Sequence, residues 1–170
     1  MTDRTLTHAF VTGAAGFVGS HVVRRLRAAG VQVTALARLP QAALPPELAE
    51  LADVQWLQGD LLAPAEWAGR LRGCDALFHV AALYSARPDD APALYQVNVG
   101  GTQAALAAAA EAGVQVVVHT STIGTVGRPL DGAAADEETP FNLWPGASDY
   151  VRSKWLGEAA ALWWSQRGLP

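Results

Sequence analysis

Three glycines at regular spacing, set where one periodicity gives way to another, constrain this chain more than any other feature. Thr12-Gly13-Ala14-Ala15-Gly16-Phe17-Val18-Gly19 follows the apolar run His8-Ala9-Phe10-Val11-Thr12 and opens a helical pattern over residues 16–29 that stops at Gly30. A strand that passes into a helix through glycines leaves few folds open. Gly13 permits a tight turn, Gly16 lets a ligand approach the backbone amides, and Gly19 lets the helix lie close to the sheet. Free amides at a helix N-terminus hold phosphate well. The spacing is G-x-x-G-x-x-G and not the commoner G-x-G-x-x-G, so the position between strand and helix carries the reading of a dinucleotide loop. The plainer alternative is a glycine-rich turn without a ligand.

The rest of the chain repeats the alternation. Strands are expected at 31–37, 54–58, 75–80 and 114–120, and helices near 47–51 and over 64–71, 91–112 and 148–166. That pattern predicts an α/β fold: a Rossmann-type doubly wound parallel sheet of five strands in the order 3-2-1-4-5. Residues 124–147 hold most of the remaining Gly and Pro and read as a long loop. At 170 residues, 51% hydrophobic and 16% charged, the chain can bury a core as one domain, 1–170, and is not disordered. A net charge of -4 argues against nucleic acid as a partner. Cys74 is the sole cysteine, which suits a reducing, cytoplasmic location. The four histidines show no ligand spacing, so no metal site is expected. Met1 to Thr7 lack a secretory leader's pattern, and no apolar run reads as a membrane span, so no membrane partner is expected.

Two features carry chemistry. Tyr150 and Lys154 are four apart, which places both on one face of a helix. A tyrosine ordinarily ionises near pH 10, and a neighbouring ammonium favours its phenolate, giving an acid–base group usable near neutrality. A surface pair without function is the alternative. The second feature lies at Leu36-Ala37-Arg38, where an NAD-selecting chain would carry a carboxylate for the ribose 2′-hydroxyl. Arg38 instead suits a 2′-phosphate, so NADP is expected over NAD, with NAD possible as cofactor.

Further segments extend the pattern: Gly59-Asp60-Leu61 after the third strand, His79-Val80-Ala81-Ala82 after the fourth, Asn98-Val99-Gly100-Gly101-Thr102, Thr120-Ser121-Thr122, and Tyr150-Val151-Arg152-Ser153-Lys154. With Thr12 to Gly19 they resemble, in order, the motifs of the extended short-chain dehydrogenase/reductase family, also described as NAD-dependent epimerases and dehydratases. The stretch Gly73 to Ala82 is most similar to the dihydroflavonol-reductase-like group. The resemblance implies cofactor contacts at Gly13, Ala15, Gly16, Phe17, Val18, Asp60, Leu61, Ala81, Tyr150 and Lys154, with Asp60 on the adenine amine and Asn98 steadying the middle of the sheet. It implies a catalytic set of Thr122, Tyr150 and Lys154, with Ser121 as second choice for the hydroxyl. Family dehydratases carry an Asp-Glu pair where this chain has Ile123 and Gly124, which disfavours elimination.

The function so implied is an NADP-linked carbonyl reductase acting on a small-molecule substrate. A nucleotide-sugar epimerase and a non-catalytic dinucleotide sensor are the alternatives. The resemblance covers only the family's N-terminal part. The chain is therefore expected to stop before strand six, to lack the substrate half and turnover, and to leave Val116, Val117 and Val118 on an open apolar edge. A homodimer through the 91–112 and 148–166 helices is also implied. Trp155, Ala159, Leu162 and Trp163 read as packing surface, His79 and His119 as core or cofactor-lining, and Asp136-Glu137-Glu138 as solvated loop.

Overall fold

The computed structural model of the chain describes residues 6–170. Strand β1 (His8–Thr12) lies at the centre of the sheet, flanked by β2 (Gln32–Ala37) and β4 (Ala76–His79). Outside these lie β3 (Val54–Gln58) and β5 (Val116–His119), and every pairing is parallel, in the order β3-β2-β1-β4-β5. Burial on both faces explains why β1 shows no polar alternation: Phe10 and Val11 point to opposite sides and both are fully enclosed.

On the Val11 side, α1 (Phe17–Ala28) packs Val23 and Leu26 against Val33 and Ala35. It ends at Ala28, and Gly30 then takes a φ of +79°, which turns the chain into β2. On the Phe10 side lie Trp67, Leu71, Leu106 and Ala109. They come from α3 (Pro64–Trp67) with the 3-10 turn after it, and from α5 (Thr102–Ala112). Short α2 (Pro46–Ala49) covers the end of the β2–β3 connection, and α6 (Asp149–Ser165) packs beside α5. Ser148 caps α6 by accepting from the Val151 amide.

Three expectations need correction. Residues 91–112 are not one regular helix: α4 (Ala91–Tyr95) runs into a π-turn over Gln96–Gly101 before α5 begins. The 64–71 helix is α-helical only to Trp67. Strand β5 is shorter than 114–120 and is not enclosed on both faces. Val117 faces the core with Leu77, whereas Val116 and Val118 are 45% and 44% exposed. The edge is not wholly open either, because the Val117 amide donates to the Pro170 carbonyl at 2.8 Å and Leu169 is buried in the core.

Candidate functional site

In a parallel sheet all strands end on one side, and ligands collect there. The turn after β1 is held by Gly13 at φ +66°, and a Cβ at that position would fall 2.7 Å from Ala81 Cα. The loop thus lies against the segment leaving β4. A Cβ at Gly19 would run into the Gly13 carbonyl group, so only glycine lets α1 start this close to the strand. Gly16 is the N-cap of α1, no acidic residue occupies the first turn, and Gly16, Phe17 and Val18 are exposed there, with Ala15 half-buried. This cradle, open to backbone amides and free of repelling carboxylates, fits a dinucleotide's pyrophosphate.

Arg38 and Asp60, which leave β2 and β3, meet at a second place. With Gln58, Gly59 and Glu66 they line a cavity of about 380 Å³. One Asp60 oxygen accepts from the Leu62 amide, and the Asp60 carbonyl accepts from the indole N–H of buried Trp67. Leu61 turns inward and packs beneath Gly101, where a Cβ would come within 2.5 Å of its side chain.

At the far end of the sheet the catalytic candidates come together. Lys154 is the sole lysine in the sequence and is only 4% exposed. Its Nζ donates to the Thr120 carbonyl at 2.7 Å. Burial lowers its pKa, and the Glu158 carboxylate opposes that shift. Tyr150 lies one turn before it, with its ring edge-on to Tyr84 at 4.8 Å between centroids. The turn after β5 packs on α6, since a Cβ at Gly124 would meet Val151 at 3.0 Å. Within that turn the two candidate hydroxyls differ. Ser121 Oγ donates to Glu158, whereas Thr122 Oγ1 only accepts, from the Gly124 amide at 3.3 Å, which leaves its proton uncommitted among the described residues.

A buried chain of hydrogen bonds joins the two regions. The Val80 and Ala81 amides donate to Thr12 Oγ1, so its own proton goes to His79 Nδ1 at 2.8 Å. Thr102 Oγ1 donates to the Asn98 carbonyl and therefore accepts from His79 Nε2 at 2.9 Å. The partners thus fix a single neutral tautomer, and burial pushes His79 down to about 3. The Asn98 side chain grips both the amide and the carbonyl of Leu83 and donates to Ser153 Oγ, which donates to the Tyr150 carbonyl. His119 stacks on His79 at 5.4 Å, with neither ring nitrogen bonded among the described residues.

The sequence reading singled out neither Glu158 nor Tyr84. Glu158 is four residues past Lys154, so helical spacing alone puts it on the same face. Among the described residues no cluster of three or more His, Cys, Asp or Glu could hold a metal ion, and no helix is long and apolar enough to cross a membrane.

A doubly wound sheet with a glycine turn after β1 and a Tyr–Lys helix after β5 defines a Rossmann-type domain of the short-chain dehydrogenase/reductase class. The profile of the NAD dependent epimerase/dehydratase family matches residues 9–169, and the chain belongs to that family. A Synechocystis sp. protein provisionally named dihydroflavonol 4-reductase is 41% identical over 94% of this chain and 45% of its own length. A ketoreductase of Stigmatella aurantiaca acting on a 3-oxo-dihydroquinoline-1-oxide is 39% identical over 90% of this chain and 44% of its own. Among solved structures, MoeE5 in complex with UDP-glucose and NAD is 34% identical with a TM-score of 0.75, over 95% of this chain and 50% of that one. DesIV, the dTDP-glucose 4,6-dehydratase of Streptomyces venezuelae solved with NAD and TYD, is 32% identical with a TM-score of 0.79, over 94% and 52%. The chain spans about half the length of the relatives it matches.

Proposed function

We propose that these residues form the cofactor-binding half of an NADP-linked carbonyl reductase in which Thr122, Tyr150 and Lys154 carry the chemistry. The observation that carries the reading is the sole lysine, enclosed one turn from Tyr150 and bonded to the strand end that leads into Thr122. A buried ammonium costs stability, and such a cost is commonly met at functional sites. The Gly13–Val18 cradle would hold the pyrophosphate, Asp60 the adenine amine, Ala81 the central part of the cofactor, and Lys154 the nicotinamide ribose. A nicotinamide dinucleotide supplies the hydride. Thr122 would hold the carbonyl oxygen of the substrate with a hydrogen bond and keep its own proton, and Tyr150 would transfer the one proton that converts that oxygen to a hydroxyl.

The curated names of the Synechocystis and Stigmatella relatives support a reductase. UDP-glucose beside NAD in MoeE5 favours a second reading, a nucleotide-sugar epimerase. Following NADPH consumption separates the two: a reductase oxidises NADPH in proportion to product, whereas an epimerase returns it unchanged. Using protein with its downstream sequence present, Tyr150→Phe is expected to lower the rate of ketone reduction by about a hundredfold or more. Undiminished turnover in that variant would dismiss the proposal.

Cofactor preference is part of the same proposal. Arg38 is exposed and faces the cavity after β2, where a guanidinium can pair with a 2′-phosphate. Two carboxylates, Asp60 and Glu66, line that cavity too, so the preference rests on Arg38 alone. Calorimetry should find NADPH bound more tightly than NADH, with Arg38→Ala removing the difference. Equal affinities in the parent chain would refute it.

A further inference from the structure

Glu158 lies outside the set assigned above, yet it touches both elements that carry that set. Its carboxylate accepts from Ser121 Oγ and lies 2.8 Å from Thr125 Oγ1, whose one proton is shared between Glu158 and the Thr122 carbonyl at 2.7 Å. Those two residues stand on either side of Thr122, and Thr125 is buried. Glu158 itself is on α6, one turn beyond Lys154 and two beyond Tyr150. No other side chain among the described residues bonds both the 121–125 turn and itself belongs to the Tyr–Lys helix.

We infer that Glu158 is a positioning residue that ties the Thr122 turn to the Tyr150–Lys154 helix through two hydroxyl contacts and presents an anion to the Lys154 ammonium. The inference rests on the functional reading above. Two consequences follow from the geometry. With Glu158 removed, the turn keeps its internal bonds from Thr125 Oγ1 to the Thr122 carbonyl and from the Gly124 amide to Thr122 Oγ1. It also keeps the packing of Gly124 on Val151 and the Lys154 bond to Thr120 just before it. It loses its side-chain hydrogen bonds to Glu158, which loosens the aim of the Thr122 hydroxyl. The ammonium also loses the carboxylate one turn beyond it on α6, with which it makes no direct ion pair. The other titratable side chains near Lys154 are Tyr150 one turn before it on α6, His119 on β5 and His79 on β4. Burial holds both histidines neutral, and none of the three is a carboxylate that could replace that charge. Glutamine at 158 would keep an acceptor oxygen for the hydroxyls while removing the charge, which separates the two roles.

The sole lysine makes the test direct. Protein grown with isotope-labelled lysine gives one side-chain resonance, and its pH titration reports Lys154 alone in the cofactor-free chain. The expected result for Glu158→Gln is a lysine midpoint lower than in the parent protein, with slow amide exchange retained over residues 121–126. For Glu158→Ala the midpoint falls similarly, and exchange in that turn accelerates by about tenfold or more. In protein with its downstream sequence present, kcat for ketone reduction should fall about ten- to a hundredfold in Glu158→Ala and less in Glu158→Gln. A lysine midpoint unmoved in both variants overturns the proposal, as does unchanged exchange in Glu158→Ala. Tyr150→Phe distinguishes this failure from that of the functional reading. If it abolishes turnover while Glu158→Ala leaves kcat and both resonance readouts intact, only the role of Glu158 is lost. If turnover survives Tyr150→Phe, the catalytic set itself falls, and a catalytic positioning role for Glu158 falls with it.

Discussion

At the scale of single residues, the site depends on positions where one added carbon has nowhere to go. Gly19 is the sharpest case, since a Cβ there would lie 2.8 Å from the Gly13 carbonyl carbon and closer still to its oxygen. Gly19→Ala should force α1 away from the turn, costing about 1–3 kcal/mol by overpacking and weakening dinucleotide binding more than Gly30→Ala does. Denaturant unfolding and cofactor titration of the two variants would check this, and equal affinities would contradict it. The glycines and the Tyr150–Lys154 spacing were readable in the sequence because each is a local signal. The commitment of Ser121 to Glu158 was not, because those residues are 37 positions apart and meet only once β5 and α6 are packed. The family motif points to Thr122 before Ser121, and of the two hydroxyls that of Ser121 is committed to Glu158 while the Thr122 proton has no partner among the described residues.

At the scale of elements, the π-turn is the feature that periodicity could not reveal, because an Ala-rich run from 91 to 112 looks helical throughout. The turn exists because Asn98 gives its side chain to Leu83 and Ser153 and its carbonyl to Thr102. That carbonyl lies against Gly157 of α6, where a Cβ would approach to 2.6 Å. Gly157→Ala should therefore separate α6 from the π-turn and lower stability by about 1–3 kcal/mol, and an unchanged unfolding midpoint would contradict that. The tips of β4 and β5 give a second expectation. Burial pushes His79 down to about 3, and burial with the Lys154 charge pushes His119 down to about 4. Both native values lie below that of an unfolded histidine, near 6.5, so their contribution is complete above that pH and is lost as the pH falls towards 4. Each histidine should remove about 1.4 kcal/mol per pH unit over that window, or up to about 4 kcal/mol together by pH 5. Urea unfolding at pH 7 and pH 5 would measure it, and a flat profile would contradict it.

At the scale of the whole molecule, a largely apolar groove lies where α5 and α6 run side by side. Val99, Gln103, Ala107, Leu156, Ala159 and Trp163 line a groove of about 550 Å³. Small side chains on α5 permit close approach of another helix pair, and we propose that a second copy of the chain covers this groove. Light scattering should return a dimer mass, and Ala107→Glu should shift it to monomer. A monomer mass for the unaltered chain at high concentration would refute the pairing. The strand order itself was legible, because βαβ units are right-handed and consecutive strands usually lie side by side. That order also bears on how the chain comes off the ribosome. Strand β2 joins the free side of β1, β3 joins the free side of β2, β4 takes the other flank of β1, and β5 extends from β4. No strand ever has to insert between two that are already paired. The nascent sheet can therefore grow outward in the order of synthesis, and the glycine turn after β1 can form before α6 has been made.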